Sequence, residues 1–155
     1  SDQVVDDIVS EALRHIDRKS AEHHIMADCG DVPLLVRVDA GLIMQVLINL
    51  VNNAIKYTPA GSNIRVTAAL REGAVEICVS DDGPGIPDER KERVFEMFFT
   101  GGNPIGDSRR SLGLGLTLCQ AIIHAHHGEL ALKDNSPHGC IFSFTIPLSE
   151  VNLNE

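Results

Sequence analysis

Between Asn49 and Tyr57 an apolar helical segment carries polar groups in a fixed order, Asn49-Leu-Val-Asn-Asn53-Ala-Ile-Lys56-Tyr57, and two glycine clusters follow it at Gly83/Gly85 and Gly113/Gly115. Steps of four and then three put Asn49, Asn53 and Lys56 on one helix face, because residues three or four apart lie one turn above another. Two amides and an ammonium on one stripe suit a metal ion and phosphate oxygens. Glycine, without a Cβ, lets backbone come close to a ligand. Together these features describe a nucleotide site.

At 155 residues and 43% hydrophobic, the chain has the length and the apolar content of one globular domain, 1–155. The formal net charge of −9 disfavours binding to nucleic acid or to an anionic membrane, which needs a basic stripe to displace counterions. Any anionic ligand must therefore be held by local groups. The acidic start, SDQVVDDIV, lacks the plan of a signal peptide, and Gln45 and several Asn residues interrupt the most apolar helix. Cys29, Cys78, Cys119 and Cys140 form no Cys-x-x-Cys pair and sit in or near apolar segments, where a free cysteine acts as a small hydrophobe. A soluble chain in a reducing, cytoplasmic setting is expected.

Apolar residues recur at helical spacing from Val4 to about Asp17, and Asp39 can cap a second helix that runs to about Tyr57 and ends before Pro59-Ala-Gly61. Two short extended runs, His24 to Asp28 and Leu34 to Val38, lie between them. Asn63 to Leu70 and Ala74 to Asp81 alternate apolar and polar residues and are joined as a hairpin by Arg71-Glu-Gly73. Pro87 to about Phe98 reads as a short charged helix, and Thr100 to Leu112, rich in Gly, Pro, Asp, Ser and Arg, reads as a mobile loop. Leu114, Leu118, Ile122 and Ala125 mark a third long helix that stops at Gly128, after which Glu129 to Lys133 and Gly139 to Pro147 return as strands. The order predicts an α/β two-layer sandwich with a mixed sheet.

Alternation along the second hairpin strand puts Asp81 on the same core-facing side as Val75, Ile77 and Val79. A carboxylate there needs partners. It can accept hydrogen bonds from an amino group such as that of adenine where Asp82-Gly83-Pro84-Gly85-Ile86 lets backbone approach a ligand, or it can cap a turn. Arg109-Arg110-Ser111-Leu112-Gly113-Leu114-Gly115-Leu116 reads as the opening of a helix whose free N–H groups face phosphate, with the arginines as a fork for the terminal phosphate. Taken alone, Gly-x-Gly also fits packing or a hinge. Asn49 and Asn53 singly fit buried amides, Lys56 a solvated helix end, and Tyr57 either a core edge or a cover for a base. His124 and His127 are three apart but lack a convincing third metal ligand.

In this order, the motifs resemble the catalytic, ATP-binding domain of bacterial sensor histidine kinases, within the wider family of gyrase, chaperone and mismatch-repair ATPases. The resemblance covers almost the whole chain. The N box is similar to Asn49–Tyr57, the first glycine box to Asp81–Ile86, the aromatic box to Phe95–Phe98 and the second glycine box to Ser111–Leu116. Ile8 to Pro59 looks most like the potassium-sensor (KdpD) type. The resemblance implies a Bergerat-type fold with three main helices on one face of the sheet and a mobile lid at about 100–112. It implies that Asn53 with Asn49 holds Mg²⁺ on ATP, Lys56 touches phosphate, Tyr57 covers the base and Asp81 reads the adenine amino group. Gly113, Leu114, Gly115 and Leu116 would offer backbone to phosphate, with Arg109 or Arg110 reaching the γ-phosphate.

Hydrolysing relatives place a Glu where this chain has Asn49, and an amide cannot take a proton from water. The resemblance therefore implies transfer of the γ-phosphoryl group to a histidine of a separate dimerisation domain, with a response regulator downstream. Arg110-Ser111 stands where the second glycine box opens with another glycine, and Cys140 stands where many members carry Thr. None of the seven histidines lies in a His-Glu-Leu-Arg-like phosphoacceptor helix, so the chain reads as a monomeric fragment of a membrane-anchored parent that itself touches no membrane. Two rival readings are a non-catalytic ATP-binding docking module and a Ser/Thr kinase of the anti-sigma type.

Overall fold

The alternation that marks Asn63 to Asp81 builds the centre of the molecule. In the structure, a computed structural model that describes residues 2–16, 22–85 and 107–148, β4 (Asn63–Arg71) and β5 (Ala74–Asp81) form an antiparallel hairpin. The hairpin turns through Glu72 and Gly73, both at positive φ. Ile64 and Val66 of β4 and Val75, Ile77 and Val79 of β5 are buried on one face, and Asp81 shares it. Around the hairpin stand β2 (His24–Asp28), parallel to β4, and β7 (Cys140–Pro147) and β6 (Leu130–Asp134), both antiparallel, in the order β2-β4-β5-β7-β6. The five-stranded sheet is mixed, as the pattern predicts.

Among the described residues three helices form the second layer: α1 (Val5–Arg14) packs on α2 (Ala40–Tyr57), and α2 and α3 (Asp107–Ala125) lie on the sheet. Asp39 caps α2 as predicted, its Oδ1 accepting the Leu42 N–H at 3.1 Å. Ile43, Val46, Leu47 and Leu50 bury the inner face of α2 against Ile64, Ile77, Phe144 and Ile123 in one contiguous core. None of the helices, among the described residues, is long and apolar enough to cross a membrane. None of the four cysteines forms a disulfide.

Three features refine the sequence reading. The run Leu34 to Val38 is extended as expected: β3 (Leu35–Arg37) pairs with a strand at the start of the chain, β1 (Asp2–Val4), in a separate two-stranded sheet. The second is a correction: α3 begins at Asp107, inside the segment read as loop; Asp107 suits the positive end of a helix, and Arg109 and Arg110 are good helix formers. Third, α3 does end before Gly128, but the left-handed residue is His127, at φ 66°. The Gly128 N–H bonds the Ile123 carbonyl at 2.9 Å and the His127 N–H bonds that of His124 at 3.0 Å, a Schellman closure. Gly128 is required there because a Cβ would overlap the Thr145 carbonyl of β7. The expected Pro87–Phe98 helix, with Phe95 and Phe98, and the loop portion 100–106 lie outside the described residues.

Candidate functional site

Asp81 ends β5 with its side chain 8% exposed, and the chain has built partners for half of its carboxylate. Oδ1 accepts the N–H of Gly83 at 3.0 Å and that of Cys140, across the strand pair, at 3.2 Å. Among the described residues no donor reaches Oδ2. Burial pushes the carboxyl above its usual value, the two N–H bonds pull it down by less, and neighbouring Asp82 adds repulsion. Asp81 thus presents one fixed, partly desolvated acceptor.

The backbone around Asp81 is tied on every side. The Asn135 side chain donates Nδ2–H to the Asp81 carbonyl at 2.8 Å, and His138 Nδ1 meets the Gly83 carbonyl at 3.1 Å. Asp82 takes both the backbone N–H and the side-chain Nδ2–H of Asn63, each at 2.8 Å, bonds that hold its carboxyl below the usual range. A Cβ on Gly139 would overlap the Asp81 carbonyl, and one on Gly83 would sit 2.5 Å from Thr58 Cγ2. Gly85 has φ 85°. Gly139 therefore serves close approach of backbone to backbone, and Gly83 that of backbone to the Thr58 methyl, as well as any approach to a ligand. Ile86 lies outside the described residues.

On α2 the predicted stripe exists, graded by depth: Asn53 is buried, Asn49 half-buried and Lys56 exposed. No hydrogen bond from the described residues reaches the Asn53 amide, although it is only 7% exposed. The Cys119 thiol of α3 donates to the Val46 carbonyl of α2 at 4.0 Å, and burial pushes it up to about 11 while nearby Asn49 pulls it down by less. Tyr57 is the last residue of α2, and its side chain lies outside the described set.

The second glycine cluster differs from its prediction. Gly113, Leu114, Gly115 and Leu116 lie inside α3 and not at its start, so the unpaired N–H groups of the helix belong to its first residues, from Asp107 to Arg110. Leu116 is buried against the core. Arg109 and Arg110 are helical in backbone, and their side chains lie outside the described set.

Two other places lack the chemistry of this site. An open depression of about 610 Å³ lined by Arg37, Val38, Asp39, Ala40, Gly41 and His126 lies at the other end of α2 from Lys56. The His126 ring there is spent on backbone, Nδ1–H to the Ile122 carbonyl and Nε2 accepting from the Asp39 N–H. The histidines around the end of α3 do not converge: His124 reaches Glu129 at 3.6 Å. Among the described residues no group of three or more His, Cys, Asp or Glu gathers as a metal site.

Sequence reasoning missed His23, whose Nε2 bonds the Thr58 hydroxyl at 2.9 Å behind Gly83. It also missed the Asn63–Asp82 and Asn135–Asp81 ties. Each joins residues far apart in the chain, so no local pattern could have signalled it.

Residues 38–150 match the family described as histidine kinase-, DNA gyrase B- and HSP90-like ATPase. The chain is 37% identical over 145 residues to the sensor protein KdpD of Clostridium acetobutylicum, an alignment covering 94% of this chain and 16% of that protein. It is 40% identical over 119 residues to the adaptive-response sensory kinase SasA of Rippkaea orientalis, covering 76% of this chain and 30% of that one. The chain thus spans between about a sixth and a third of the length of these curated relatives. Among solved structures, the nucleotide-free catalytic domain of histidine kinase ThkA superposes with a TM-score of 0.82 at 31% identity, covering 96% of this chain and 95% of that one. ThkA in complex with the response regulator protein TrrA superposes at 0.79 with 30% identity, covering 96% of this chain and 42% of that one.

Proposed function

The chain belongs to the histidine kinase-, DNA gyrase B- and HSP90-like ATPase family, and from that premise we propose that it holds Mg²⁺-ATP for transfer of the γ-phosphoryl group to a histidine of a separate dimerisation domain. The observation that carries the reading is Asp81, one oxygen fixed by the Gly83 and Cys140 N–H groups and the other without a donor among the described residues. An amino group next to a ring acceptor, as on adenine, is the complement of that oxygen. Guanine offers a carbonyl at the same edge and would meet it with repulsion.

The residues present fit the metal and the phosphates. Asn53 is buried with no partner among the described residues, and with Asn49 it offers hard amide oxygens on one helix face. Bound Mg²⁺ would supply charge neutralisation between the phosphates. Lys56, exposed one turn on, adds a cation that follows the phosphates without fixing them. Asn49 has no basic oxygen with which to activate water, so the chain's own groups favour holding ATP for an external nucleophile over hydrolysing it. Catalysis is then positioning and electrostatic neutralisation. Gly113 to Leu116, with Arg109 or Arg110, complete the phosphate side, and Tyr57 and Ile86 the base side.

The family and its relatives support a sensor kinase of a two-component system as the parent, with a response regulator downstream. We place the chain in the cytoplasm as one domain, monomeric on its own, consistent with four cysteines none of which forms a disulfide. A second reading, a nucleotide-binding docking module without transfer, is favoured by one feature: the N–H groups of Gly113 and Gly115 lie inside α3. Incubation with radiolabelled Mg²⁺-ATP and a phosphoacceptor dimerisation domain of a related sensor kinase separates the two. Acid-labile phosphate on the acceptor histidine supports transfer. ATP binding without it supports docking, and an acid-stable phosphoester on a protein hydroxyl would indicate a Ser/Thr kinase.

A further inference from the structure

The base-reading turn rests on a side chain that contributes nothing to the opening itself. The Thr58 hydroxyl donates its one proton to the Ala54 carbonyl at 2.6 Å, so toward His23 the same oxygen can only accept. His23 Nε2 stands 2.9 Å from it and 3.3 Å from the Thr58 carbonyl, both acceptors. His23 must therefore carry its proton on Nε2. With hydroxyl and oxygen both committed, the Thr58 rotamer is fixed and its methyl is pressed onto Gly83, where even an added Cβ would come within 2.5 Å of Cγ2. Gly83 in turn supplies the N–H that holds Asp81 Oδ1 at 3.0 Å.

We propose that His23 is a positioning residue for nucleotide recognition: by donating from Nε2 to Thr58 it seats the methyl that fixes Gly83, and through Gly83 the carboxylate that reads the base. Its other nitrogen is consistent with a role in geometry. Among the described residues His23 Nδ1 is buried with no hydrogen-bond partner, a state that costs stability and is tolerated because Nε2 is engaged. The inference deepens the proposed function and rests on Asp81 meeting an adenine amino group.

Ring-nitrogen NMR of the ¹⁵N-histidine-labelled chain reads the tautomer directly: a proton on Nε2 of His23 is expected, and a proton on Nδ1 alone overturns the proposal. Calorimetry with ADP then reads the consequence. His23→Leu should weaken ADP binding about tenfold, while His23→Gln, whose amide can donate from nearly the same point, should stay within about twofold of the parent chain. Removing the Thr58 hydroxyl in His23→Leu/Thr58→Val should add little to His23→Leu, because the two residues act as one unit. Parental affinity in a folded His23→Leu variant, or no rescue by His23→Gln, would overturn the proposal. If the parent chain binds no adenine nucleotide, the base-reading function fails first; amide exchange at Gly83, expected to be slow in the parent and faster in His23→Leu, still decides whether His23 holds the turn. Equal exchange in both chains would overturn it.

Discussion

The two ends of the candidate nucleotide site are built differently. At the base end, Asp81, Gly83 and Cys140 are held by hydrogen bonds from β5, β7 and the turn at Asn135 before any ligand arrives. At the phosphate end, the glycines of the second cluster have their N–H groups inside α3, and Asn53 lacks a partner among the described residues. Preorganisation lowers the cost of ordering on binding. The base end should therefore dominate selectivity, and the phosphate end should require its ligand, or the metal with it, to complete the geometry.

The largest expected effect breaks the base end. Asp81→Asn replaces the free acceptor oxygen by a donor or leaves it uncharged, and should cut adenine-nucleotide affinity about 100-fold while leaving guanine nucleotides no worse, read by parallel calorimetric titrations. Equal loss for both bases would detach Asp81 from base reading. Next, Asn53→Ala should lower Mg²⁺-ATP affinity about 30-fold yet leave adenosine binding unchanged. Gly113→Ala should sharpen the contrast from the other side: a better helix former there favours the helical state by about 0.5–1 kcal/mol, so ATP affinity should fall roughly threefold with adenosine unaffected.

The smallest effect concerns pH. Burial raises the Asp81 pKa in the folded chain, so the folded state keeps its proton to higher pH than the unfolded state does. Such a group favours folding at low pH, and that contribution is lost as pH rises from the unfolded carboxylate value through the raised folded value. Asp81→Asn should therefore melt above the parent at pH 7, with the gap closing as pH falls below the carboxylate range. A lower melting temperature at pH 7 would mean that an unseen partner stabilises the carboxylate.

What the sequence made legible was local. Period-two alternation placed Asp81 on the buried face, helical spacing placed Asn49, Asn53 and Lys56 on one stripe, and Asp39 announced the start of α2. What it hid was long-range or context-driven. β1 is three residues long and has no pattern of its own; only pairing with β3 makes it a strand. The Asp107–Leu112 stretch carries polar and charged residues that look like loop, yet contains no Gly or Pro to stop a helix that the core anchors through Leu116, Cys119 and Ile123. Gly128 looked like a helix stop, and its necessity comes from the Thr145 carbonyl across the fold.

The most direct test of the preorganised base end is calorimetry of the chain with adenosine, ATP and GTP, each with and without Mg²⁺. The account predicts that adenosine binds equally well in both conditions, that Mg²⁺ strengthens ATP alone, and that GTP binds far more weakly than ATP. Equal affinity for ATP and GTP, or adenosine binding that depends on Mg²⁺, would contradict it.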